Sequence, residues 1–526
     1  MKETIFDSLP VIGKSLAEIK PSDKYREKCP AGSALAMSIA QNAVQLKKQN
    51  KLLTVICADP SDVIRLQDEV TWFDPSLKLT VFPDWETLPY DVLSPHADLV
   101  GERLQTLYLL LNRQKRQDPV DVLIFSASTA TQRLAPRNYI GSTTFFFRKG
   151  DRIDPTDLRA ELVARGYEHV SQVVAPGEFA SRGGLLDLFP MGAAKPYRLD
   201  FFDDELDEIR VFDPDNQRSV EKVDEIRLLP AHEFPMGREA RSAFCSRWRE
   251  TFEGDPSKVT LYKDIENGIA APGVENYLPL FFDETETLFD YIGSDASLIL
   301  LDDVNSAIEH FDKETEQRAK FLRADGERPI LDFKRLYLSA PQFFELAGNY
   351  ARLSLTDKET ATPNFPSVAI ERRKDDPLEG AKAYKDLCSA RSRKLLVMAN
   401  SAGRLETISD VFKENGLKAP LVPGFEKFLE SGDNFALCYG PLYDGMELEN
   451  PPISILTETE LYSNSDRPVR RRRRRTERES NIEMMIRDLS ELKVGDPVVH
   501  LDHGVGRYRG LTSMSTPDGE AEFLQI

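Results

Sequence analysis

The spacing of hydrophobic and polar positions changes along the chain and predicts several kinds of structure in succession. Between residues 1 and about 144, short apolar runs alternate with stretches of helical period. The runs KLLTVICADP, LKLTVFPD and DVLIFSAST predict strands, whereas SALAMSIAQNAVQL and PSDVIRLQDEVTWF predict helices. Because strands separated by helices are typical of parallel sheets, this region predicts a parallel α/β domain.

A different period begins at about residue 145 and lasts to 229. Gly183 and Gly184 precede the apolar run from Leu185 to Phe189, Pro190 follows it, and period two resumes from Tyr197 to Phe202. Short strands separated by turn residues predict a meander of β-hairpins.

The strand from Tyr197 to Phe202 has two distinct faces. Its odd-numbered residues are all apolar or aromatic and predict a core face, whereas Arg198, Asp200 and Phe202 share the other face. On one interpretation, Phe202 fills a small additional core and Arg198 pairs with Asp200 or another acid. On the other, Arg198 and Phe202 form a docking patch, since arginine and aromatic residues are enriched at protein interfaces.

Helix and strand patterns alternate again from residue 230 to about 365, where Ser297 to Leu301 predicts a strand between two helices. The β-rich segment therefore reads as an insert that splits one α/β domain into halves at 1–144 and 230–365. A small α/β domain is predicted at 366–460 from KLLVMANS, AGRLETISDVFKENG, NFALCYG and ISILTETELY. A linker at 461–488 and a strand-rich module at 489–526 complete the chain.

Length and composition narrow the class of protein. A chain of 526 residues is too long for one core and predicts three to five domains. It has no apolar run of 18 residues and no signal peptide, so we expect a cytoplasmic protein with no membrane partner. Its five cysteines are widely separated and odd in number, which argues against a zinc site and a disulfide framework.

Charge is uneven along the chain. The net charge of -19 disfavours broad DNA binding, because neutralising phosphates needs a basic surface. The exception is Arg470 to Arg475, six consecutive arginines. The run reads either as a nucleic-acid arm or as a solvated linker whose charges are answered by nearby glutamates, and its position between two compact segments favours the linker.

The expected nucleotide site of such a parallel sheet is missing. A phosphate-binding loop GxxxxGK[ST] should follow the first strand, but CPAGSALAMSIA (29–40) has Leu35 and Ala36 where the lysine and hydroxyl belong. Asp302 and Asp303 follow a strand and are read as a helix cap rather than as metal ligands. No catalytic residues, cofactor or metal are therefore predicted in this chain.

Two other stretches contain residues that could bind a ligand. His500 and His503 have a spacing compatible with a metal, but neither cysteine nor a further histidine lies nearby, so we expect a turn between strands. Trp85 and Tyr90 in DWETLPYD are flanked by prolines, and we expect a structural loop packed on the sheet.

Several motifs in this sequence resemble one family in the family's own order. These are DWETLPYD, SPHADLVGERLQTLYLL, SRGGLLDLFP, YRLDFFDDE, RVFDPDNQRS, LLPAHEFP, LPLFF and VGDPVVHLDHGVGRYRG. They resemble the bacterial transcription-repair coupling factors, whose second domain is similar to the UvrA-binding domain of UvrB. Because the motifs run nearly the whole length of the chain, the resemblance is specific.

The resemblance implies a fold class and a domain order. It implies a multidomain α/β protein in which a degenerate helicase-like, UvrB-like parallel domain carries a β-rich UvrA-binding insert at 145–229. It further implies that 489–526 is an incomplete RNA polymerase-interacting module, a CarD-like, Tudor/SH3-like barrel. The motor domains of the family, which bind ATP and Mg, are expected to be missing from this chain.

The resemblance also implies a function. The whole protein would bind the β subunit of stalled RNA polymerase, displace it by ATP-dependent translocation on double-stranded DNA, and recruit UvrA for nucleotide excision repair. This chain would be no enzyme itself and would perform the recruitment. The alternatives are a UvrB-like or helicase-like ATPase with its own nucleotide site, and a CarD-like transcription regulator.

Site residues follow from the resemblance position by position. Arg182, Arg198 and Phe202 match the positions through which the family is expected to contact UvrA. In the polymerase-interacting module, the hairpin edge near Arg507, Tyr508 and Leu511 is expected to contact RNA polymerase. A strand edge can add to a strand of a partner, with main-chain bonds giving affinity and side chains giving specificity.

Overall fold

The computed structural model describes residues 9–113, 119–323, 328–357, 366, 368, 377–461, 497–500, 504–507, 509–516 and 519–525. The chain divides into two compact units, Met1–Ser463 and Asn464–Ile526. No helix among the described residues is both long enough and apolar enough to cross a membrane.

The first unit begins with alternating strands and helices. After a short 3-10 helix at Leu16–Glu18, the elements are β1 (Lys24–Lys28), α1 (Ala34–Lys48), β2 (Leu52–Cys57), α2 (Pro60–Phe73), β3 (Leu79–Val81), α3 (Ala97–Asn112), β4 (Val122–Ser126), α4 (Ala127–Thr131), β5 (Arg133–Leu134), α5 (Arg137–Thr143) and β6 (Phe145–Arg148). Every strand and helix that the first 144 residues predicted by period is present.

The β-rich insert is built mainly of consecutive hairpins. Its elements are α6 (Pro155–Ala164), β7 (Glu168–His169), β8 (Glu178–Arg182), β9 (Leu185–Leu188), β10 (Tyr197–Phe202), β11 (Glu205–Phe212), β12 (Ser219–Val223) and β13 (Glu225–Leu228). Strands β8 to β12 pair antiparallel in chain order, which confirms the predicted meander, and β7 adds to β8 in parallel. Strand β13 pairs antiparallel with β6, so a two-stranded ribbon lies at the root of the insert.

Helices precede the return to the α/β pattern. The elements are α7 (Arg238–Thr251), a 3-10 helix (Pro256–Lys258), α8 (Thr260–Glu266), a 3-10 helix (Val274–Leu280), β14 (Glu286–Thr287), α9 (Leu288–Ile292), β15 (Ala296–Leu301), α10 (Val304–Leu322), α11 (Phe333–Leu336), α12 (Ala340–Ala347) and β16 (Ala351–Thr356). Strand β15 contains the predicted strand Ser297 to Leu301 and starts one residue earlier.

One parallel sheet combines strands from both sides of the insert. Its order is β1-β16-β15-β2-β4-β3, and every pairing in it is parallel. This confirms the predicted parallel α/β sheet. Strands β2 and β15 are buried at every residue, as expected for central strands covered by helices on both faces. The proposed domain limits themselves stay predictions.

A second, smaller sheet follows in the same unit. Its elements are α13 (Pro377–Ala390), β17 (Lys394–Ala399), α14 (Ala402–Glu414), α15 (Phe425–Glu430), β18 (Phe435–Tyr439), β19 (Met446–Leu448), β20 (Ile453–Leu456) and α16 (Glu458–Leu461). The sheet order is β18-β17-β20-β19, with only β19 antiparallel. Leu396 and Met398 of β17 share one hydrophobic core with α1 and α2, so the small α/β segment is packed against the larger sheet.

The second unit is described as two strand pairs. Strands β21 (Pro497–His500) and β22 (Gly504–Arg507) pair antiparallel, as do β23 (Gly510–Thr516) and β24 (Gly519–Gln525). The predicted barrel is not confirmed by these two pairs. The stretch VVHLDHGVGRYRGL predicts two strands joined by a tight turn at Gly504 and Gly506, but that position of the turn is wrong, because both glycines lie within β22, opposite His500 and Val498.

Candidate protein-docking face and phosphate loop

The hairpin sheet of the insert has an inner and an outer face. Leu199 and Phe201 of β10 point inward and are buried in a core shared with the parallel sheet, as the alternation predicted. On the outer face, Arg198 lies directly across from Asp187 of β9 and from Arg210 of β11. The outer face therefore carries rows of charged residues, the arrangement expected of a face turned away from the core.

Arg198 is held by a neighbouring strand. Its guanidinium donates two hydrogen bonds to Asp187, at 2.7 and 2.9 Å, and lies 4.9 Å from the ring centroid of the buried Phe212. The hydrogen bond to Asp187 raises the pKa of Arg198, against the effect of burial. The interpretation that Arg198 pairs with an acid is confirmed, but the acid is Asp187 rather than Asp200, because Asp200 accepts from Arg210 at 2.7 Å. Asp187 is the partner because the register between β9 and β10 places it directly across from Arg198, and this register cannot be inferred from the sequence.

Phe202 is the most exposed member of the predicted set. Its side chain is 80% exposed at the end of β10, beside the turn that begins with Asp203 at φ 58°. The suggestion that Phe202 fills a small additional core is therefore wrong. An exposed phenylalanine loses contact with water only when a partner covers it, which makes this position a candidate anchor.

Arg182 lies at the same edge of the outer face. It is exposed and donates to the carbonyl oxygen of Ser171 at 2.7 Å. The turn after it contains Gly184, whose carbonyl accepts from the backbone N–H of Phe201 at 2.8 Å. A side chain at Gly184 would come within 2.8 Å of the Phe201 carbonyl oxygen, so this close approach requires glycine. The structure thus places the Arg182 turn beside the end of the strand that carries Phe202.

The opposite end of the outer face is covered. A small core of Val173, Ala180, Phe189 and Phe212 lies there. Gln217 links this core to Arg198. Its side-chain amide donates to the Val173 carbonyl at 3.0 Å, and its backbone carbonyl accepts from Arg198 at 3.3 Å. The open part of the face is consequently the edge that presents Arg182 and Phe202.

The phosphate-type loop after β1 is filled by the chain itself. The backbone N–H of Ser33 and its hydroxyl both donate to the carbonyl oxygen of Asp444, at 3.3 and 2.6 Å. Gly32 has φ 59°, and a Cβ there would lie 1.9 Å from the carbonyl oxygen of Gly445. In a nucleotide-binding sheet this helix N-terminus faces phosphate oxygens. Here the loop before β19 supplies the oxygen instead.

Acidic side chains surround this contact. Glu69 of α2 is buried, pairs with Arg65 at 2.9 Å and accepts from the backbone N–H of Tyr443 at 3.2 Å. Burial raises the pKa of Glu69 to about 7, more than the arginine and the backbone hydrogen bond lower it. Glu460 accepts from the backbone N–H of Gly445 at 3.0 Å, and burial raises its pKa as well.

Three of the sequence motifs meet in one buried cluster that sequence reasoning missed. Arg103 of α3 is fully buried and pairs with Glu233 at 2.5 and 3.2 Å. The indole N–H of Trp85 donates to the same carboxylate at 3.2 Å, and Arg103 also donates to the Pro83 carbonyl. The available signal was the position of Arg103, which has the helical spacing of the apolar residues Val100, Leu104 and Leu107.

The cluster fixes the role of the DWETLPYD loop. Trp85 and Tyr90 are both buried, and the backbone N–H of Tyr90 donates to Asn276 at 2.8 Å. The interpretation as a structural loop is confirmed, although Tyr90 packs in the core formed by α7, α8 and the 3-10 helix Val274–Leu280 rather than on the sheet.

The remaining candidates are placed as follows. Asp303 caps α10 by accepting from the backbone N–H of Ser306, as predicted. Among the described residues, no group of three or more His, Cys, Asp or Glu side chains could hold a metal. The five cysteines form no disulfide within the described part of the chain.

Some predicted positions lie outside what is described. The backbones of Arg507 and Leu511 lie in β22 and β23, but their side chains are outside the described part of the chain. Tyr508, His503 and the run Arg470 to Arg475 also lie outside it.

Three family models match this chain. The UvrB interaction domain matches residues 145–234, and the MFD, D3 domain matches residues 388–461. The CarD-like/TRCF RID domain matches residues 492–526. The first match contains the hairpin sheet, and the second contains the loop that fills the phosphate position.

Three curated relatives of this chain carry the same name. The transcription-repair-coupling factors of Haemophilus influenzae, Escherichia coli and Bacillus subtilis are 35%, 34% and 25% identical to this chain. The alignments cover 94%, 94% and 95% of the chain, but 43%, 42% and 43% of the relatives, so the chain spans less than half of their length. The family predicted from the motifs is confirmed: over nearly its whole length this chain is homologous to part of a transcription-repair-coupling factor.

Proposed function

We propose that this chain recruits the excision-repair protein UvrA to RNA polymerase stalled at DNA lesions. The observation that carries the proposal is the 80% exposure of Phe202 within the match to the UvrB interaction domain. An exposed aromatic anchor beside a cationic side chain, here Arg182, has the composition of a binding hot spot.

We assign the three predicted contact residues different roles from their exposure and their partners. Phe202 and Arg182 are available to a partner, whereas Arg198 already has its carboxylate in Asp187. We therefore propose that Phe202 and Arg182 contact UvrA, and that Arg198 supports the strand on which Phe202 lies.

A calorimetric titration of the chain with UvrA tests the proposal. Phe202→Ala should weaken binding by about 30-fold, the equivalent of about 2 kcal/mol for a hot-spot truncation. Val220→Ala is the matched control, because Val220 lies in the same sheet and is 61% exposed. Equal loss of affinity in both variants, or none in either, would contradict the proposed contact.

The second part of the proposed function concerns RNA polymerase. We propose that the module matched by the CarD-like/TRCF RID family contacts the polymerase β subunit through a strand edge near Arg507, Tyr508 and Leu511. Arg507→Glu should reduce polymerase binding while leaving UvrA binding unchanged, because the two contacts lie in separate compact units.

Translocation is assigned to other parts of the family. We propose that ATP and Mg serve motor domains outside this chain, and that double-stranded DNA is held mainly there. What supports this is the loop at Gly32 and Ser33, where Asp444 already provides the oxygen that a phosphate would provide.

A further inference from the structure

A cleft of about 1360 Å³ opens at the root of the β-rich insert. Its walls are the ribbon of β6 and β13 on one side and helices α3 and α5 on the other. Pockets that enclose small molecules have volumes of roughly 300–1,000 Å³. The size of this cleft therefore favours a segment of a polymer over a single small ligand.

The ribbon presents an aromatic and cationic surface to the cleft. Phe146 lies directly across from Arg227, and Arg148 directly across from Glu225, so these four side chains share one face. Phe146 is 42% exposed. Its ring centroid is 6.3 Å from that of Tyr108, which projects from α3. The guanidinium of Arg227 lies 4.6 Å from the Tyr108 ring centroid, so the aromatic and cationic groups form one surface.

The charge of the cleft differs from that of the chain. The cleft is lined by three arginines, Arg137, Arg148 and Arg227, and by two carboxylates, Glu225 and Glu286. The chain as a whole carries -19. This concentration of guanidinium groups on an acidic chain favours an anionic ligand here over the surrounding surface.

The ion pairs in the cleft do not prevent an anion from binding. Arg137 pairs with Glu286 at 2.9 Å and Arg148 pairs with Glu225. The two arginine side chains are 47% and 65% exposed. Because exposed ion pairs contribute little stability, a phosphate can compete for either guanidinium at small cost.

The helical wall supplies neutral hydrogen-bonding groups. Asn112 of α3 and Asn138 and Ser142 of α5 line it, with Thr144 beside them. Amides and hydroxyls can donate to and accept from the edges of nucleobases without adding charge.

We propose that this cleft binds a single-stranded segment of nucleic acid, with a base stacked on Phe146 and phosphates held by the three arginines. Aromatic faces combined with cationic groups are the means by which proteins hold single strands without reading their sequence. An acidic peptide would satisfy the arginines and could bond to the amides, but its carboxylate side chains would offer no flat surface to the aromatic face. The proposal does not depend on the UvrA contact, which lies at another edge of the insert.

The test is fluorescence anisotropy of a labelled oligothymidylate of about eight nucleotides with the whole chain. In every sample Arg470 to Arg475 are replaced by glutamine, which removes the other candidate for nucleic-acid binding. Phe146→Ala should weaken binding about tenfold, as expected for the loss of one stacked base. Arg227→Gln should reduce the slope of log affinity against log salt by about 0.7, the value for one phosphate contact on a single strand.

Two controls isolate the cleft. Phe145→Ala changes the neighbouring aromatic, which points to the opposite side of β6, where Arg165 lies 3.7 Å from its ring centroid, and should leave binding unchanged. Phe202→Ala should weaken UvrA binding about 30-fold and leave oligonucleotide binding unchanged, so the UvrA proposal and the cleft proposal can fail independently.

Three results would overturn the proposal. They are no oligonucleotide binding by the parent, equal loss in the Phe145 and Phe146 variants, and competition by polyglutamate at the concentrations at which unlabelled oligonucleotide competes. The last result would assign the cleft to an acidic peptide.

Discussion

The outer face of the hairpin sheet and the loop after β1 are two candidate binding sites, of which the first is open to a partner and the second is filled by the chain itself. At the hairpin sheet, Phe202 is 80% exposed, and its edge is open to a partner. At the loop, Ser33 donates its backbone N–H and hydroxyl to the Asp444 carbonyl, so the groups that would bind a ligand are used internally. The comparison teaches that a preserved fold does not preserve a site, because the availability of the groups decides what can bind.

The largest expected effect is at the closed loop. Gly32→Ala should lower the free energy of unfolding by about 3 kcal/mol, because the new Cβ meets the Gly445 carbonyl and adopts a left-handed conformation. Urea unfolding measures the effect.

The control for Gly32 is another glycine. Gly403→Ala places its Cβ in α14 with no atom within 4 Å and should stabilise by up to about 1 kcal/mol. An unchanged stability of Gly32→Ala would show that the small α/β segment is not held at the loop, and the contrast between the two regions would fail.

A smaller effect is expected at Arg198. Arg198→Ala should destabilise the insert by about 2 kcal/mol, because it leaves Asp187 without its two charge-assisted hydrogen bonds. Phe202→Ala should change stability by less than about 0.5 kcal/mol, since its side chain is exposed.

Thermal melting and UvrA titration of both variants separate structure from binding. A double-mutant cycle with Asp187→Ala measures the coupling within the pair. If Arg198→Ala melted like the parent and still lost UvrA, Arg198 would be a direct contact and the division of roles proposed for the outer face would be wrong.

The closed region should also respond to pH. Burial raises the pKa of Glu69 to about 7 from an ordinary value of 4.5. A raised pKa means that the folded state holds the proton more tightly, so the stabilisation is complete below about pH 4.5 and is lost as the pH rises through 7. We expect the melting temperature of the parent to fall relative to that of Glu69→Gln between about pH 5 and pH 8. If the melting temperatures of the two proteins changed equally with pH across this range, the raised pKa of Glu69 would be contradicted.

Much of this architecture could be predicted from the sequence, because it depends on local period. The continuous apolar runs of β2 and β15 predicted the parallel sheet. The alternation in β10 predicted the hairpin sheet and the face on which Arg198 and Phe202 lie. The partner of Arg198 could not be predicted, since it depends on the register between β9 and β10. The oxygen that fills the loop lies 411 residues from Ser33, a separation over which sequence period carries no information.

The last pair of substitutions is expected to have no effect on nucleotide binding. Restoring the missing groups of the loop with Leu35→Lys and Ala36→Thr should not produce ATP binding, because the Asp444 carbonyl still occupies the helix N-terminus. Calorimetry with ATP and Mg measures this, and the unchanged chain is expected to bind neither. Micromolar affinity in the double variant would show that only the lysine and hydroxyl were missing and that the Asp444 contact gives way to phosphate.

Amide hydrogen exchange of the chain with and without UvrA compares the two regions in one experiment. The account predicts that UvrA slows exchange in the turns at Gly183–Gly184 and Asp203–Asp204, which border Arg182 and Phe202. It predicts no change at Gly32 and Ser33, whose surroundings are already closed. Protection confined to the loop after β1, with none at the two turns, would contradict the claim that the open edge of the hairpin sheet recruits UvrA.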